Sequence, residues 1–279
     1  GCGPTGALAA LALADAGWTV TLADPAEPSR LLQRQRAYAF THSSSALLQR
    51  LGLWQRLEPQ LVGFTTLELA DLGSSPEPVR FGCADLGSSA GAVGWIGLHT
   101  PLLKTLLDAL ESHPAIALRL GADAQSSATS AAVDLIVAAD GPHSPSRDGL
   151  GIAQWQWSYQ QSCLTAQVQL RGTEPQQAWE LFRPEGPLAL LPLGEPHTVQ
   201  LVWSASPERC RQLERLGPDG FLDHLAGALP DRFQPDALLV APQSFDVGLA
   251  VARRLHRGHT VLVGESAHRC HPVGGQGLN

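Results

Sequence analysis

The sequence predicts an α/β fold, a Rossmann-like dinucleotide-binding domain into which a second, mostly antiparallel β-sheet domain is inserted. Three observations carry that prediction. A glycine-rich turn, an Ala/Leu-rich stretch and a β-branched run ending in an acid open the chain as "GCGPTGALAALALADAGWTVTLAD". Two later apolar runs, "AVDLIVAADG" at 132–141 and "HTVLVGE" at 259–265, stop at loops as buried parallel strands do. Between them, from 155 to about 245, Gln- and Trp-containing runs alternate with turn signals, as in an antiparallel sheet.

The opening element reads as turn, helix, cap, strand and acid. Gly1, Gly3 and Gly6 have the G-x-G-x-x-G spacing. The first glycine permits the tight turn, the second lets a pyrophosphate approach the backbone, and the third lets helix and strand pack closely. Gly17 closes the helix, the run from Trp18 to Leu22 reads as a strand, and Asp24 is placed to accept ribose hydroxyls. An ordinary capped helix is the plainer alternative. The apolar strand that normally mounts such a turn does not precede Gly1, and there is no methionine anywhere, so the chain reads as a fragment whose folding in isolation should be impaired.

Farther along, residues 31–58 suggest helices, with "LLQRLGLWQRL" the clearest amphipathic stretch, and 62–97 reads as short strands and turns. "TPLLKTLLDALES" at 100–112 predicts a helix capped by Thr100 with Pro101 at its first position. One helical stretch, 207–229, interrupts the second domain. The predicted boundaries are 1–154 for the dinucleotide domain, with some strands near 62–97 belonging to the other lobe, then 155–245 for the inserted sheet, and 246–279 for the return.

Bulk properties narrow the function classes. With 279 residues, 44% of them hydrophobic, the chain can bury a sizeable core. A formal charge of -7 supplies no basic stripe for a phosphate backbone, which argues against nucleic acid as a partner. Cys2, Cys83, Cys163, Cys210 and Cys270 are odd in number and lack a C-x-x-C pair, the usage of a reducing compartment, so the cytoplasm is expected. No apolar window is long enough to span a bilayer, which leaves peripheral membrane contact open.

The last run, "GESAHRCHPVGGQGLN", admits two chemistries. Glu265 and His268 have the E-x-x-H spacing of a helical metal site, with Cys270 and His271 close behind. An apolar strand runs straight into Gly264, however, and Pro272 with Gly274, Gly275 and Gly277 follows at once, so a glycine-rich ligand loop is expected and no metal.

Three elements then stand together: "GCGPTG" with Asp24, "VAADGPHSPSR" at 137–147, and "VLVGESAHRCHPVGGQGLN" at 261–279. This trio resembles the flavin-dependent aromatic hydroxylases, the para-hydroxybenzoate hydroxylase type of FAD monooxygenase. "RAYAFT" at 36–41, "LGLW" at 51–54, "WELFRPEGPLALLPL" at 179–193, "LVWS" at 201–204 and the closing "HPVGGQGLN" are similar to its ubiquinone-biosynthesis branch. The resemblance implies FAD as cofactor, with Gly1, Gly3, Gly6 and Asp24 on its ADP half and Arg36 near its phosphates or ribityl chain. Asp140 and Gly141 would lie beside the pyrophosphate, braced by Ser144 and Arg147, and Gly264 and Glu265 would meet the ribityl side. Pro272, Gly274, Gly275, Gln276, Gly277, Leu278 and Asn279 would line the isoalloxazine.

The implied reaction is reduction of FAD by NAD(P)H as a transient partner, formation of a C4a-hydroperoxide with O2, and oxygen transfer to an aromatic substrate, polyprenylated in this branch. No catalytic side chain is then required, and the Pro272 loop would lie near the substrate. "GPLALLPL" suits a prenyl-bearing ring, and a plain core strand suits it equally. Two departures from the family's pattern stand out. Its Gly-Asp is Gly264-Glu265 here, which predicts weaker FAD binding by about 1–2 kcal/mol if a charged hydrogen bond is lost. The stretch between the 100–112 helix and residue 134 is also short. A reductase on the same FAD scaffold and a degenerate, non-catalytic flavin-fold protein are the alternatives.

Overall fold

The computed structural model describes residues 1–34, 36–74, 77–87, 90–122, 124 and 133–275. Helix α1 (Pro4–Asp15) starts and stops by local chemistry. Pro4 takes the first helical position, where a missing N–H costs nothing. Gly17, at φ +94°, ends the helix in a Schellman turn: its own N–H reaches the Ala14 carbonyl, and that of Trp18 reaches Leu13 at 3.1 Å. Because Trp18 is held by the helix end, β1 (Val20–Asp24) begins two residues later than the β-branched run suggests.

Next come α2 (Pro28–Leu32), β2 (Ala37–Phe40), α3 (His42–Arg50) and α4 (Trp54–Leu57). They lead into β3 (Val62–Phe64), β4 (Thr66–Asp71), β5 (Val79–Gly82) and β6 (Gly94–Leu98). Helix α5 (His99–Ser112) is capped by the backbone of Leu98 and not by Thr100. Thr100 lies inside the first turn, and its hydroxyl donates to the Leu32 carbonyl at 2.9 Å. Strand β7 (Ile116–Leu120) pairs in parallel with β1.

Strand β8 (Ile136–Ala138) and α6 (Pro145–Gly149) precede the long β9 (Gln154–Arg171). Then follow β10 (Gln177–Phe182), β11 (Leu188–Pro192) and β12 (Thr198–Ala205). The predicted helical stretch is two helices, α7 (Pro207–Arg215) and α8 (Pro218–Ala226), because Gly217 and Pro218 break and restart it. Strand β13 (Gln234–Ala252) returns along β9, and β14 (His256–Arg257), β15 (Thr260–Leu262) and β16 (His268–Arg269) close the described chain.

The largest sheet runs β16-β13-β9-β12-β11-β10-β4-β5, and every pairing is antiparallel except β10 with β4. Strands β4 and β5 therefore cross from the N-terminal third of the chain into this sheet. Helices α7 and α8 cover one of its faces, where Trp203 and Phe221 are fully buried in a core with Leu213 and Leu225. A second core joins α1, α5 and β1 through Leu11, Leu22, Leu103 and Leu106. Beside it, β8 pairs in parallel with β15, and β2, β6 and β3 form a small antiparallel sheet. The loops after β1, β8 and β15 converge on the start of α1, and they make the site.

Candidate functional site

The opening glycines are required by crowding at two positions and by open space at the third. A Cβ on Gly6 would lie 1.9 Å from the Gly1 carbonyl oxygen, and one on Gly1 would lie 2.6 Å from that of Ala139. Nothing stands within 4 Å of the Cβ position of Gly3. No side chain caps α1, so the positive end of its dipole faces that space, the arrangement that receives a phosphate. Asp24 is fastened beside it: Oδ2 accepts the Cys2 N–H at 2.7 Å and Oδ1 accepts that of Ala26 at 2.8 Å. Each oxygen keeps a further lone pair for a hydroxyl donor.

The second loop holds itself. The Asp140 carboxylate accepts the Ser144 hydroxyl and, at 2.9 Å, the Ser146 N–H. Burial works to raise the pKa of that carboxyl, but these hydrogen bonds outweigh it and hold it below the ordinary range. Ser144 caps α6 through the Arg147 N–H, and Gly141 at φ +84° makes the bend. The buried Arg147 guanidinium donates to the carbonyls of Pro142 at 3.1 Å and Ser266 at 3.3 Å. It thereby ties the second loop to the third.

The third loop is pressed onto α1. Gly264 has φ +60°, and a Cβ there would fall 2.7 Å from the Thr5 side chain. The buried Ser266 hydroxyl donates to the Ala138 carbonyl at 2.6 Å and accepts the Val263 N–H at 3.1 Å, joining the ends of β8 and β15. Glu265 is half-buried and looks into a cavity of about 650 Å³ shared with His143, Arg147, Gln154, Gln156 and Arg269. The Arg269 Nε in this cavity's wall is buried and without a partner among the described residues.

On the far side of the loops, Gly275 at φ +66° meets β2, where a Cβ would fall 2.7 Å from that of Ala39. His271 Nδ1 accepts the Val273 N–H at 3.1 Å, so its Nε2–H donates to Gln161 on β9 at 3.2 Å. The Gly275 N–H is committed to the Pro272 carbonyl at 2.9 Å. Gln276, Gly277, Leu278 and Asn279 lie outside the described residues. Arg36 is exposed, and its guanidinium lies 5.1 Å from the Phe245 ring on β13, bridging the two layers. Leu188 and Leu190 of "GPLALLPL" are fully buried in the sheet core, which favours the plain core reading for them, and Phe182 remains exposed.

Several neighbours of this site escape sequence reasoning. Buried His99 accepts the Tyr38 hydroxyl on Nδ1 at 2.8 Å and donates from Nε2 to the Leu31 carbonyl at 2.8 Å. Burial pushes the Tyr38 phenol up and the His99 imidazole down. Only the long-range pairing of β2 with β6, which runs directly into α5, brings these residues together, and neither motif nor periodicity signals it. Burial also pushes the thiols of Cys2 and Cys210 up to about 11 and that of Cys163 to about 12, so none of these three is a thiolate nucleophile at neutral pH. Glu265 sits in a 3₁₀ turn and His268 on β16, so their E-x-x-H spacing is not helical. Among the described residues no group of three or more His, Cys, Asp or Glu side chains could hold a metal ion.

Comparison with known proteins meets this geometry. The chain matches the family model described as "FAD binding domain" over residues 1–279. It is 31% identical to 3-demethoxyubiquinol 3-hydroxylase of Escherichia coli K12 over 297 residues, which covers all of this chain and 74% of that protein. It is 32% identical over 179 residues to the mitochondrial ubiquinone biosynthesis monooxygenase of Danio rerio, covering 52% of this chain and 37% of that one. The solved structure of p-nitrophenol 4-monooxygenase from Pseudomonas putida superposes with a TM-score of 0.75 at 21% identity, over all of this chain and 74% of that one, a likeness of fold.

Proposed function

The chain belongs to the FAD binding domain family, and from that premise we propose that it hydroxylates an aromatic, prenyl-bearing quinone precursor as an FAD-dependent monooxygenase, with NAD(P)H as reductant and O2 as oxygen source. The observation that supports this most is the glycine turn: a helix N-terminus opening onto the free space at Gly3, flanked by a carboxylate held in place by two backbone N–H groups. The residues present fit FAD, because that pairing of phosphate site and ribose acceptor is what a dinucleotide requires.

In this reading Gly1, Gly3, Gly6 and Asp24 hold the ADP half. Asp140 and Gly141 flank the pyrophosphate, with Ser144 and Arg147 keeping their loop rigid. Gly264 and Glu265 meet the ribityl chain, and the loop from Pro272 lines the ring system. Bound FAD would supply the electron transfer and oxygen chemistry. The chain itself orients the cofactor, excludes water and positions the ring of the substrate. Residues 1–154 and 246–279 then form the cofactor side, and 155–245 with strands from 62–97 form the substrate side. No helix among the described residues is long and apolar enough to cross a membrane, and in this reading the prenylated substrate is met by peripheral membrane contact.

Titration of the apoprotein with FAD tests the cofactor assignment. Stoichiometric retention through gel filtration, with a resolved shoulder on the flavin absorption band, is expected. A colourless protein that fails to retain added FAD would count against it.

A further inference from the structure

Where β9, β13 and β16 run side by side, one exposed face carries a pattern that is unusual for a surface sheet. Gln156 lies opposite Ala250 and Ala250 opposite Arg269, and Gln154, Gln156 and Arg269 face the polar cavity. The alternate residues therefore point the other way: Trp155 lies opposite Val251, Trp157 opposite Leu249, and Val251 opposite His268. Trp155 and Trp157 are each 69% exposed, and Leu249 and Val251 are 38% exposed. An antiparallel sheet with one wet face normally turns polar residues to water and apolar ones inward. Here the polar set lines the cavity, Gln156 exposed and Gln154 and Arg269 half-buried, while the opposite face carries a contiguous exposed patch of two indoles and two aliphatic side chains.

Charge adjoins the patch. Arg253 follows the end of β13 with its N–H on the Ala153 carbonyl at 2.9 Å, and it is exposed. Exposed Arg254, Leu255, His256 and Arg257 follow it. Residues 247–275 hold four arginines and one carboxylate, Glu265, which is half-buried at the cavity, although the whole chain carries a formal charge of -7. Residues 149–161 are uncharged. An acidic protein thus presents, at one end of one sheet, indoles bordered by cations.

We infer that this face docks on an anionic lipid surface. Indole rings lie at the boundary of headgroups and acyl chains, apolar body inward and N–H outward, and neighbouring arginines pair with lipid phosphates. Apolar contact and basic charge together give the two signals that stable peripheral attachment needs. The orientation deepens the proposed function, and in this respect alone rests on it: the cavity beside Glu265 lies on the reverse side of the same three strands, one sheet away from the bilayer that would hold a prenylated substrate.

Flotation of the full-length, FAD-loaded protein with phosphatidylcholine vesicles, with and without phosphatidylglycerol, tests the inference without turnover, so it reads independently of the enzymatic assignment. Binding to the phosphatidylglycerol vesicles is expected, with an indole emission blue shift and quenching by brominated lipid. W155S/W157S should lose the quenching and bind on the order of tenfold more weakly, and W155F/W157F should retain most of the affinity. R253Q/R254Q should weaken binding by roughly tenfold or more and flatten its salt dependence. Retained flavin absorbance in each variant shows that the fold is intact. Two results would overturn the inference: wild-type protein that does not float with anionic vesicles, or binding that neither pair of substitutions changes. A concentration-dependent dimer abolished by W155S/W157S, in a protein that ignores vesicles, would overturn it in favour of a second copy on this face.

Discussion

Glu265 is the residue on which cofactor affinity turns in the proposed reading. It follows Gly264, whose backbone is pinned at φ +60° against Thr5, so the position of its Cα is set by packing and only the side chain can adapt. The carboxylate reaches one methylene farther than an aspartate would, into the cavity with His143 and Arg269. Glu265→Asp is therefore expected to tighten FAD binding about tenfold, in line with the roughly 1–2 kcal/mol of a hydrogen bond to a charged group. Quenching of flavin fluorescence on titration measures it, and an unchanged dissociation constant would show that the extra methylene is accommodated. The need for glycine at 1 and 6, where Gly6 is crowded by the Gly1 carbonyl and Gly1 by that of Ala139, was legible from spacing. The Tyr38–His99–Leu31 chain was not, since it depends on which strand lies beside which helix.

At the scale of elements, the loop from Asp140 to Arg147 is a self-capped unit. One carboxylate gathers the Ser144 hydroxyl and the Ser146 N–H, and α6 starts there. The pKa of Asp140 is depressed in the folded state, so the folded protein binds fewer protons than the unfolded one as pH falls. Its contribution is complete above the ordinary carboxyl value of 3.8 and is lost as pH drops through the depressed folded value. Asp140→Asn should cost about 2 kcal/mol at neutral pH by urea unfolding, and the difference from wild type should shrink below about pH 4. A constant difference down to lower pH would mean that the charge is not what caps the loop. Elements with strong termination signals were readable: α1, the runs before Asp140 and Gly264, and the antiparallel character of 155–245. A boundary set by tertiary contacts was not, as with Thr100, whose hydroxyl goes to Leu32 instead of capping α5, whereas the break at Gly217–Pro218 carries a local signal that the single predicted helix passed over.

For the whole molecule, β4 and β5 lie in the 62–97 stretch whose strands were in part expected in the other lobe, and they do join the large sheet; that β4 pairs with β10 was not legible, because pairing across more than a hundred residues leaves no local trace. That sheet and the loop cluster around α1 meet along Arg36 over Phe245 and His271 on Gln161, which joins the proposed cofactor side to the sheet that would bear the substrate. Membership in the FAD binding domain family and this meeting of layers lead to one central claim, that oxygen from O2 is inserted into an aromatic ring by a flavin held in the loop cluster. The direct measurement is turnover of the intact FAD-loaded protein with NAD(P)H and an aromatic quinone precursor under ¹⁸O2, followed by mass spectrometry of the product. The account predicts one ¹⁸O atom per product and no product without oxygen. Product that carries no label, or that forms equally well under anaerobic conditions, would contradict it and assign the same scaffold to a reductase.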